Sequence, residues 1–220
     1  EHPHTYRHVW DLNTWLIRHY MPGVTVVHNE GKYRTLEARC LRDARLPSLV
    51  YGFKQCSQRF KIEPIKKWVR HTEWWKEGWR ITQAIGIDAG EAHRAARAPI
   101  DDPRFDYWHP LVEWDIHRDG CERIIASAGL CVPYKSSCFF CPAMKKKDIR
   151  FLYQNYPELA ERALAIERAG AAYNEKVKGL GRHFSWADFI EWDKGVVEDD
   201  KKQTGFAFPD PPDAPCMCDT

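Results

Sequence analysis

The chain has 220 residues, which fits one domain with appendages, and its 44% hydrophobic and 13% aromatic residues supply enough apolar side chains for a core. A formal net charge of +2 excludes a protein-wide positive field of the kind that attracts nucleic acid, and leaves room only for local basic patches. No apolar run approaches the roughly 18 residues that cross a bilayer, and the polar opening EHPHTYRHVW is not a signal peptide. We therefore predict a cytoplasmic, reducing setting, in which eight cysteines indicate metal or redox chemistry rather than disulfides.

Hydrophobic periodicity predicts helices that alternate with short strands. The predicted helices, in chain order, are 5–20, 35–42, 59–78, 119–128, 147–169 and 184–193. The predicted strands are 24–28, 79–87 and 110–114. This alternation is typical of an α/β fold with a mainly parallel sheet. Residues 196–220 turn acidic and then Pro-rich, which predicts a flexible tail.

The sharpest chemical signal is the sequence Cys138-Phe139-Phe140-Cys141-Pro142. Its two-residue gap lets both thiolates face one metal from a single turn, and the same spacing serves zinc, iron–sulfur clusters and redox dithiols. Bulky apolar residues between the cysteines, and a proline directly after them, favour an iron–sulfur cluster with a dry shell. Zinc, a redox dithiol and a turn without metal stay open as alternatives.

A cluster with four cysteine ligands needs two further thiols. Cys56 is the first candidate, because basic residues flank it in the segment 54–64 and favour a thiolate. Cys131, seven positions before Cys138, is the most economical fourth ligand, and Cys40 is the next candidate. Cys40 and Cys121 are also the first candidates for ordinary buried thiols. A cluster with three cysteine ligands and one open iron is a further alternative.

Two basic stretches lie near these cysteines in the sequence. They comprise Lys54, Arg59, Lys61, Lys66, Lys67 and Arg70 before the CxxC pair, and Lys145, Lys146, Lys147 and Arg150 just after it. If the thiols converge, the basic residues converge with them and form a positive pocket for phosphate or sulfate. Two solvated helix faces are the alternative interpretation.

The glycine turn at the end of the predicted strand 79–87 is a second candidate binding element. Glu91, His93 and Arg94 follow Gly90 there, and ligands of open α/β sheets bind beyond the carboxyl ends of the strands. A plain strand-to-helix turn explains the pattern equally well.

Taken in order, these motifs resemble the phosphoadenosine phosphosulfate (PAPS) reductase family of the PP-loop, or adenine nucleotide α-hydrolase-like, superfamily, and in particular reductase-like proteins of phages and bacteria. The motifs are Cys56-x-x-Arg59-x-Lys61-x-x-Pro64, Gly86-Ile87-Asp88 with Glu91 and Arg94, Pro110-Leu111-x-x-Trp114 and Cys138-x-x-Cys141. The resemblance covers residues 1–155. It implies a doubly wound α/β domain over 1–155 that binds an adenine nucleotide at the carboxyl edge of its sheet, a helical extension over 156–195 and the tail 196–220.

The resemblance also implies a cofactor. The adenylylsulfate branch of the family holds a [4Fe-4S] cluster on a Cys-Cys pair and a later CxxC. Cys56 matches one position of that pair, but its neighbours Gln55 and Ser57 do not supply the second. The predicted metal ligands are therefore Cys56, Cys131, Cys138 and Cys141, with an iron–sulfur cluster as the first cofactor and zinc as the alternative.

The chain departs from the family at both ends. The Ser-Gly-Gly-x-Asp-Ser phosphate loop is missing, and the first six residues resemble the segment that comes directly after the family's second strand. We therefore expect an N-terminally incomplete domain, truncated or split, that binds nucleotide poorly on its own. Family reductases attack sulfur with a cysteine near the C-terminus, and Cys216 and Cys218 lie at a comparable place, although they also fit incidental thiols in a tail.

The resemblance implies reduction of a sulfonucleotide or nucleotide-dependent sulfur transfer. The chain would be an oxidoreductase or sulfurtransferase if the missing N-terminal part is supplied. The predicted anion-binding residues are Arg59, Lys61, Glu91, Arg94, Lys145 and Lys146. The expected partners are a thioredoxin-like electron donor and a second copy of the chain, with no membrane. An inactive metal-binding fragment or split half, and a zinc protein that binds nucleic acid, are the alternatives.

Overall fold

A computed structural model describes residues 3–96, 102–133, 137–171 and 177–204. Its α-helices are α1 Pro3–Arg18, α2 Leu36–Arg42, α3 Gln55–Ser57, α4 Glu63–Arg70, α5 Glu73–Lys76, α6 Ala92–Ala95, α7 Pro110–Glu113, α8 Arg118–Ser127, α9 Lys146–Asn155, α10 Pro157–Ala171 and α11 Trp186–Thr204. A π-helical turn, Gln58–Ile62, joins α3 to α4, and two 3₁₀ helices span Ser48–Tyr51 and Ala89–Glu91. None of the helices in these ranges combines the length and apolar character that a membrane span requires.

The sheet that the described residues form has two strands, β1 Ile81–Ala84 and β2 Phe105–Trp108. The strands are parallel, with Ile81 opposite Phe105 and Ala84 opposite Trp108. The predicted α/β class and the parallel pairing are thus confirmed. The doubly wound sheet is not confirmed, and it stays a prediction.

Two of the predicted strands are wrong. Residues 24–28 pair with no other strand in the part of the chain that the structure describes, and residues 110–113 form helix α7. Pro110 occupies the start of that helix, where its fixed φ and missing N–H suit the first turn. Short apolar runs fit either element, because periodicity cannot distinguish them over four or five residues.

Several predicted helices are confirmed by the residues that begin and end them. The Oγ1 of Thr35 accepts a hydrogen bond from the backbone N of Ala38 (3.1 Å) and so caps the start of α2. Gly129 follows α8 with φ +72°, a left-handed conformation that an L side chain rarely adopts. The predicted long helix 147–169 is divided at Tyr156 into α9 and α10.

The chain divides into two compact units. Among the described residues, the first comprises 3–6, 25–66, 137–171 and 177–204, and the second comprises 7–24, 67–96 and 102–133. The predicted domain boundaries at 155 and 195 stay predictions.

The core of the first unit is built by helices α2, α9, α10 and α11. Its fully buried side chains include Ile149 and Leu152 of α9, Ile166 of α10 and Trp186 of α11. Helices α9 and α10 pack on each other, and α2 packs on α10. This arrangement fixes α2, which carries Cys40, against the long helices of the unit.

The core of the second unit lies around Trp75, which is buried next to Phe105 of β2 (5.2 Å between ring centroids). The guanidinium of Arg104 lies 3.3 Å from the centroid of the Trp75 ring, a cation–π contact. Helices α1 and α8 are connected through the indole of Trp15, whose Nε1 donates to the carbonyl of Ala128 (2.9 Å).

Candidate metal centre

Cys56 lies in the first turn of the helical segment that runs from α3 through the π turn into α4. Its Sγ is 3.1 Å from the Oγ of Ser48, and its backbone N donates to the same Oγ (3.2 Å). Ser48 itself begins the 3₁₀ helix that ends at Gly52, whose φ is +90°. The 3₁₀ helix therefore holds a hydroxyl against the thiol, and Cys56 stays half-buried.

The helical turn after Cys56 is π-helical. It spans Gln58–Ile62 and carries Arg59 and Lys61, two of the basic residues of the predicted anion site. Single π turns inside α-helices frequently occur at functional sites, where the extra residue re-aims the side chains. The sequence pattern predicted a helix in this region but gave no sign of the wider turn.

The pair Cys138 and Cys141 occupies a tight turn. The backbone N of Cys141 donates to the carbonyl of Cys138 (3.0 Å), and the backbone N of Met144 donates to the carbonyl of Cys141 (2.9 Å). The rings between the cysteines, Phe139 and Phe140, are 4% and 3% exposed and contact each other edge to face. Burial of the two rings anchors the turn and leaves both cysteines half-buried at its edge.

Cys56, Cys138 and Cys141 line one cleft of about 690 Å³ in the first unit. The turn 138–141 and the helix that carries Cys56 are distant in sequence, so the fold of the unit brings their thiols to the same cavity. The six cysteines that the structure describes are all free thiols.

The cleft carries an excess of positive charge. Among its described lining residues, Arg34, Lys61 and Arg162 are basic and Glu37 is acidic. Arg162 forms a bidentate ion pair with Glu37 (2.8 and 2.6 Å), and its guanidinium lies 4.8 Å from the centroid of the Phe139 ring. The lining therefore holds three basic side chains and one acidic side chain, and this excess of positive charge attracts an anion.

A fourth cysteine of this unit, Cys40, is buried in α2 at 3% exposure. Burial raises the pKa of its thiol to about 12, and repulsion from Cys56 and Cys138 contributes to the increase.

The described residues contain no group of three or more His, Cys, Asp or Glu side chains already arranged to hold a metal ion. They do contain a set of thiols around one cleft, and thiolates are the donors that soft metals and iron–sulfur clusters take. The chemistry of the donors fits such a group, and each thiol can turn between staggered positions about its Cα–Cβ bond. The cofactor therefore stays a prediction that the donor set suits.

The remaining predicted site residues lie elsewhere. Cys131 belongs to the second unit, as do Glu91 and Arg94, which form an ion pair with each other. Cys216 and Cys218 lie outside the described residues.

The two lysines that precede and begin α9 do not line the cleft. Lys145 is the N-cap of α9, where its backbone N donates to the carboxylate of Asp148 (3.2 Å). The ammonium of Lys146 lies over the rings of Phe184 (5.6 Å) and Phe189 (5.3 Å). The structure therefore connects α9 to the aromatic start of α11 through Lys146.

No sequence motif indicated three residues of the site. Arg34 and Arg162 line the cleft, and Ser48 contacts Cys56, yet none of them belongs to a motif. Arg34 stands in a polar loop and Arg162 on the charged face of a helix, where the sequence predicts ordinary solvated side chains. Only the packing of α2 on α10 indicates their role.

Comparison of the chain with known proteins gave no match, whether to a family model, to a curated protein or to a solved structure.

Proposed function

We propose that the chain is an iron–sulfur protein of the PAPS reductase type, which acts on a sulfur-bearing adenine nucleotide by sulfonucleotide reduction or nucleotide-dependent sulfur transfer. The observation that carries the proposal is the cleft in which Cys56, Cys138 and Cys141 occur together with the basic side chains Arg34 and Lys61. A soft-metal donor set beside an anion-attracting surface suits a substrate that carries sulfate or phosphate.

Cys56, Cys138 and Cys141 would hold the cluster. A cluster on these thiolates would supply electron transfer or a Lewis-acidic, sulfur-rich surface next to the substrate. The buried rings of Phe139 and Phe140 exclude water from one side of the site, and such a dry shell influences the reduction potential.

Arg34 and Lys61 would bind the anionic group. Both are exposed side chains on the cleft, so each can reach out to a bound sulfate or phosphate without breaking the core. Arg162 has a different part, because its pairing with Glu37 and its position over Phe139 hold it against the wall of the cleft. We therefore expect Arg162 to shape the cleft, and Arg34 and Lys61 to contribute the positive charge that binds the anion.

The doubly wound sheet is part of the same proposal. The parallel pair β1 and β2 would be part of a doubly wound sheet of the adenine nucleotide α-hydrolase-like type. The parallel register supports this, since parallel strands require the helical crossovers on which such folds are built.

Binding of adenylylsulfate tests the substrate class. Removal of both cleft charges in the variant Arg34→Ala/Lys61→Ala should weaken binding roughly a hundred-fold, since a charge-assisted hydrogen bond contributes about 1.5–3 kcal/mol. Isothermal titration calorimetry on the anaerobically purified chain measures the affinity, and iron content shows whether the cluster is kept.

Arg168→Gln is the matched control. Arg168 is an exposed arginine of the same unit that pairs with Glu161 outside the cleft. The Arg168→Gln variant should bind adenylylsulfate with the same affinity as the unaltered chain. Equal affinity in the double variant, the control and the unaltered chain would contradict the proposed anion site.

A further inference from the structure

We infer that Cys40 is the fourth thiolate ligand of the centre formed by Cys56, Cys138 and Cys141. The inference rests on the proposed function, because it concerns the ligand set of the same cluster. It replaces Cys131, the fourth ligand that the spacing along the chain favours.

The first argument is the place of Cys40 in the core. Cys40 belongs to the hydrophobic core of the first unit together with Phe139 and Phe140, and Cys138 packs against that core. Helix α2, which carries Cys40, packs on α10, and the Glu37–Arg162 ion pair connects the two helices. The helix that bears Cys40 is thus fixed beside the turn that bears the CxxC pair.

The second argument is the connection between Cys40 and Cys56. Cys40 and Ser48 line a common cavity of about 620 Å³, and the Oγ of Ser48 lies 3.1 Å from the Sγ of Cys56. Leu36 and Pro47 border both this cavity and the cleft of the other three cysteines. Cys40 therefore lines a cavity that shares bordering residues with the cleft of the other three cysteines.

Two simpler explanations compete. An ordinary buried thiol contacts only packed apolar side chains, whereas Cys40, although it belongs to the core, also lines a cavity together with Ser48, whose hydroxyl contacts Cys56. Cys131 belongs to the second unit, whereas Cys40, Cys56, Cys138 and Cys141 all belong to the first. A ligand set within one compact unit needs no contribution from elsewhere in the chain.

The test removes every cysteine except the proposed four. The variant Cys121→Ser/Cys131→Ser/Cys216→Ser/Cys218→Ser should purify anaerobically with the same iron and sulfide per chain as the unaltered protein. Addition of Cys40→Ala to this variant should lower the iron content by at least one atom per chain, with a three-iron signal in electron paramagnetic resonance or loss of the cluster. Circular dichroism of both variants checks that they fold.

The outcomes separate the inference from the proposed function. If Cys131→Ser alone removes iron, or if Cys40→Ala in the otherwise unaltered chain keeps the full iron content, Cys40 is not the ligand. If Cys40→Ala does not fold, the variant that keeps only Cys40, Cys56, Cys138 and Cys141 decides the question. Loss of the cluster from that variant would overturn the inference. Absence of iron and sulfide from the unaltered chain would instead contradict the proposed function.

Discussion

Asp193 is the clearest case of a single residue whose chemistry is determined by its surroundings. Its side chain is 1% exposed on α11, where it accepts hydrogen bonds from the guanidinium of Arg150 (Nε, 2.7 Å) and from the hydroxyl of Tyr153 (2.6 Å), both on α9. A buried carboxylate is tolerated only when it is paired and hydrogen-bonded. Asp193 therefore connects α9 and α11 through charge.

This arrangement predicts a loss of stability in acid. The hydrogen bond from Arg150, together with that from Tyr153, holds the pKa of Asp193 below its ordinary value. Its contribution is complete above the unfolded pKa of about 3.9 and is lost as the pH falls towards the lower folded value. Urea unfolding at a series of pH values should show this loss, and Asp193→Asn should remove it.

At neutral pH, Asp193→Asn should also reduce the free energy of unfolding by about 1.5–2 kcal/mol, because the half-exposed Arg150 and the hydroxyl of Tyr153 lose a charged acceptor. Glu191→Gln is the control, an exposed carboxylate on the same helix, and should change stability by less than about 0.5 kcal/mol. Equal effects of the two substitutions would contradict the assigned role of Asp193.

At the scale of secondary structure, a buried carboxylate of α10 organises the start of α11. The Oε2 of Glu167 accepts from the backbone N of Leu180 (2.7 Å) and of Trp186 (2.9 Å), and Oε1 accepts from the Oγ of Ser185 and the backbone N of Ala187. The first N–H groups of a helix have no partner within the helix. Glu167 supplies that partner from another helix, so α10 determines where α11 begins.

Glu167→Gln should therefore destabilise the first unit by about 2–3 kcal/mol. The amide keeps the shape, but its NH₂ group faces backbone donors and leaves them unsatisfied in a buried place. Urea denaturation gives the free energy of unfolding. Glu161→Gln, which affects an exposed ion pair on the same helix, should cost about 0–0.5 kcal/mol. If Glu167→Gln also reduced the free energy of unfolding by only about 0–0.5 kcal/mol, apolar packing alone would position α11.

The sequence predicted local elements well where capping residues mark them. The predicted helices 35–42 and 119–128 correspond to α2 and α8, and the structure has Thr35 at the start of α2 and Gly129 after α8. The strand assigned to 110–114 failed because four apolar residues fit a helical turn equally well, and Pro110 favours the helix. The contribution of Glu167 was not predictable, because it joins residues of α10 to a loop and a helix further along the chain.

At the scale of the whole molecule, the two compact units are assembled from separate stretches of the chain. Spacing along the chain therefore misleads: Cys131 is close to Cys138 in sequence but belongs to the other unit, while Cys40 is distant and belongs to the same one. The CxxC pair and Cys56, predicted as ligands of one centre, line the same cleft, and their role as metal ligands stays a prediction. The basic residues Arg34 and Arg162 join them only through the packing of α2 on α10.

The tryptophans differ widely in exposure. Trp186 is fully buried, whereas Trp10, Trp74 and Trp79 are each at least 60% exposed. Composition alone gives the number of aromatic side chains but not the surface on which they lie.

Iron and acid-labile sulfide, measured on the anaerobically purified chain, test the central claim most directly. We predict four irons and four sulfides per chain with the visible absorbance of an iron–sulfur cluster, lost in Cys138→Ser and kept in the control Cys121→Ser. Stoichiometric zinc without iron or sulfide, or an unchanged spectrum in Cys138→Ser, would contradict the claim.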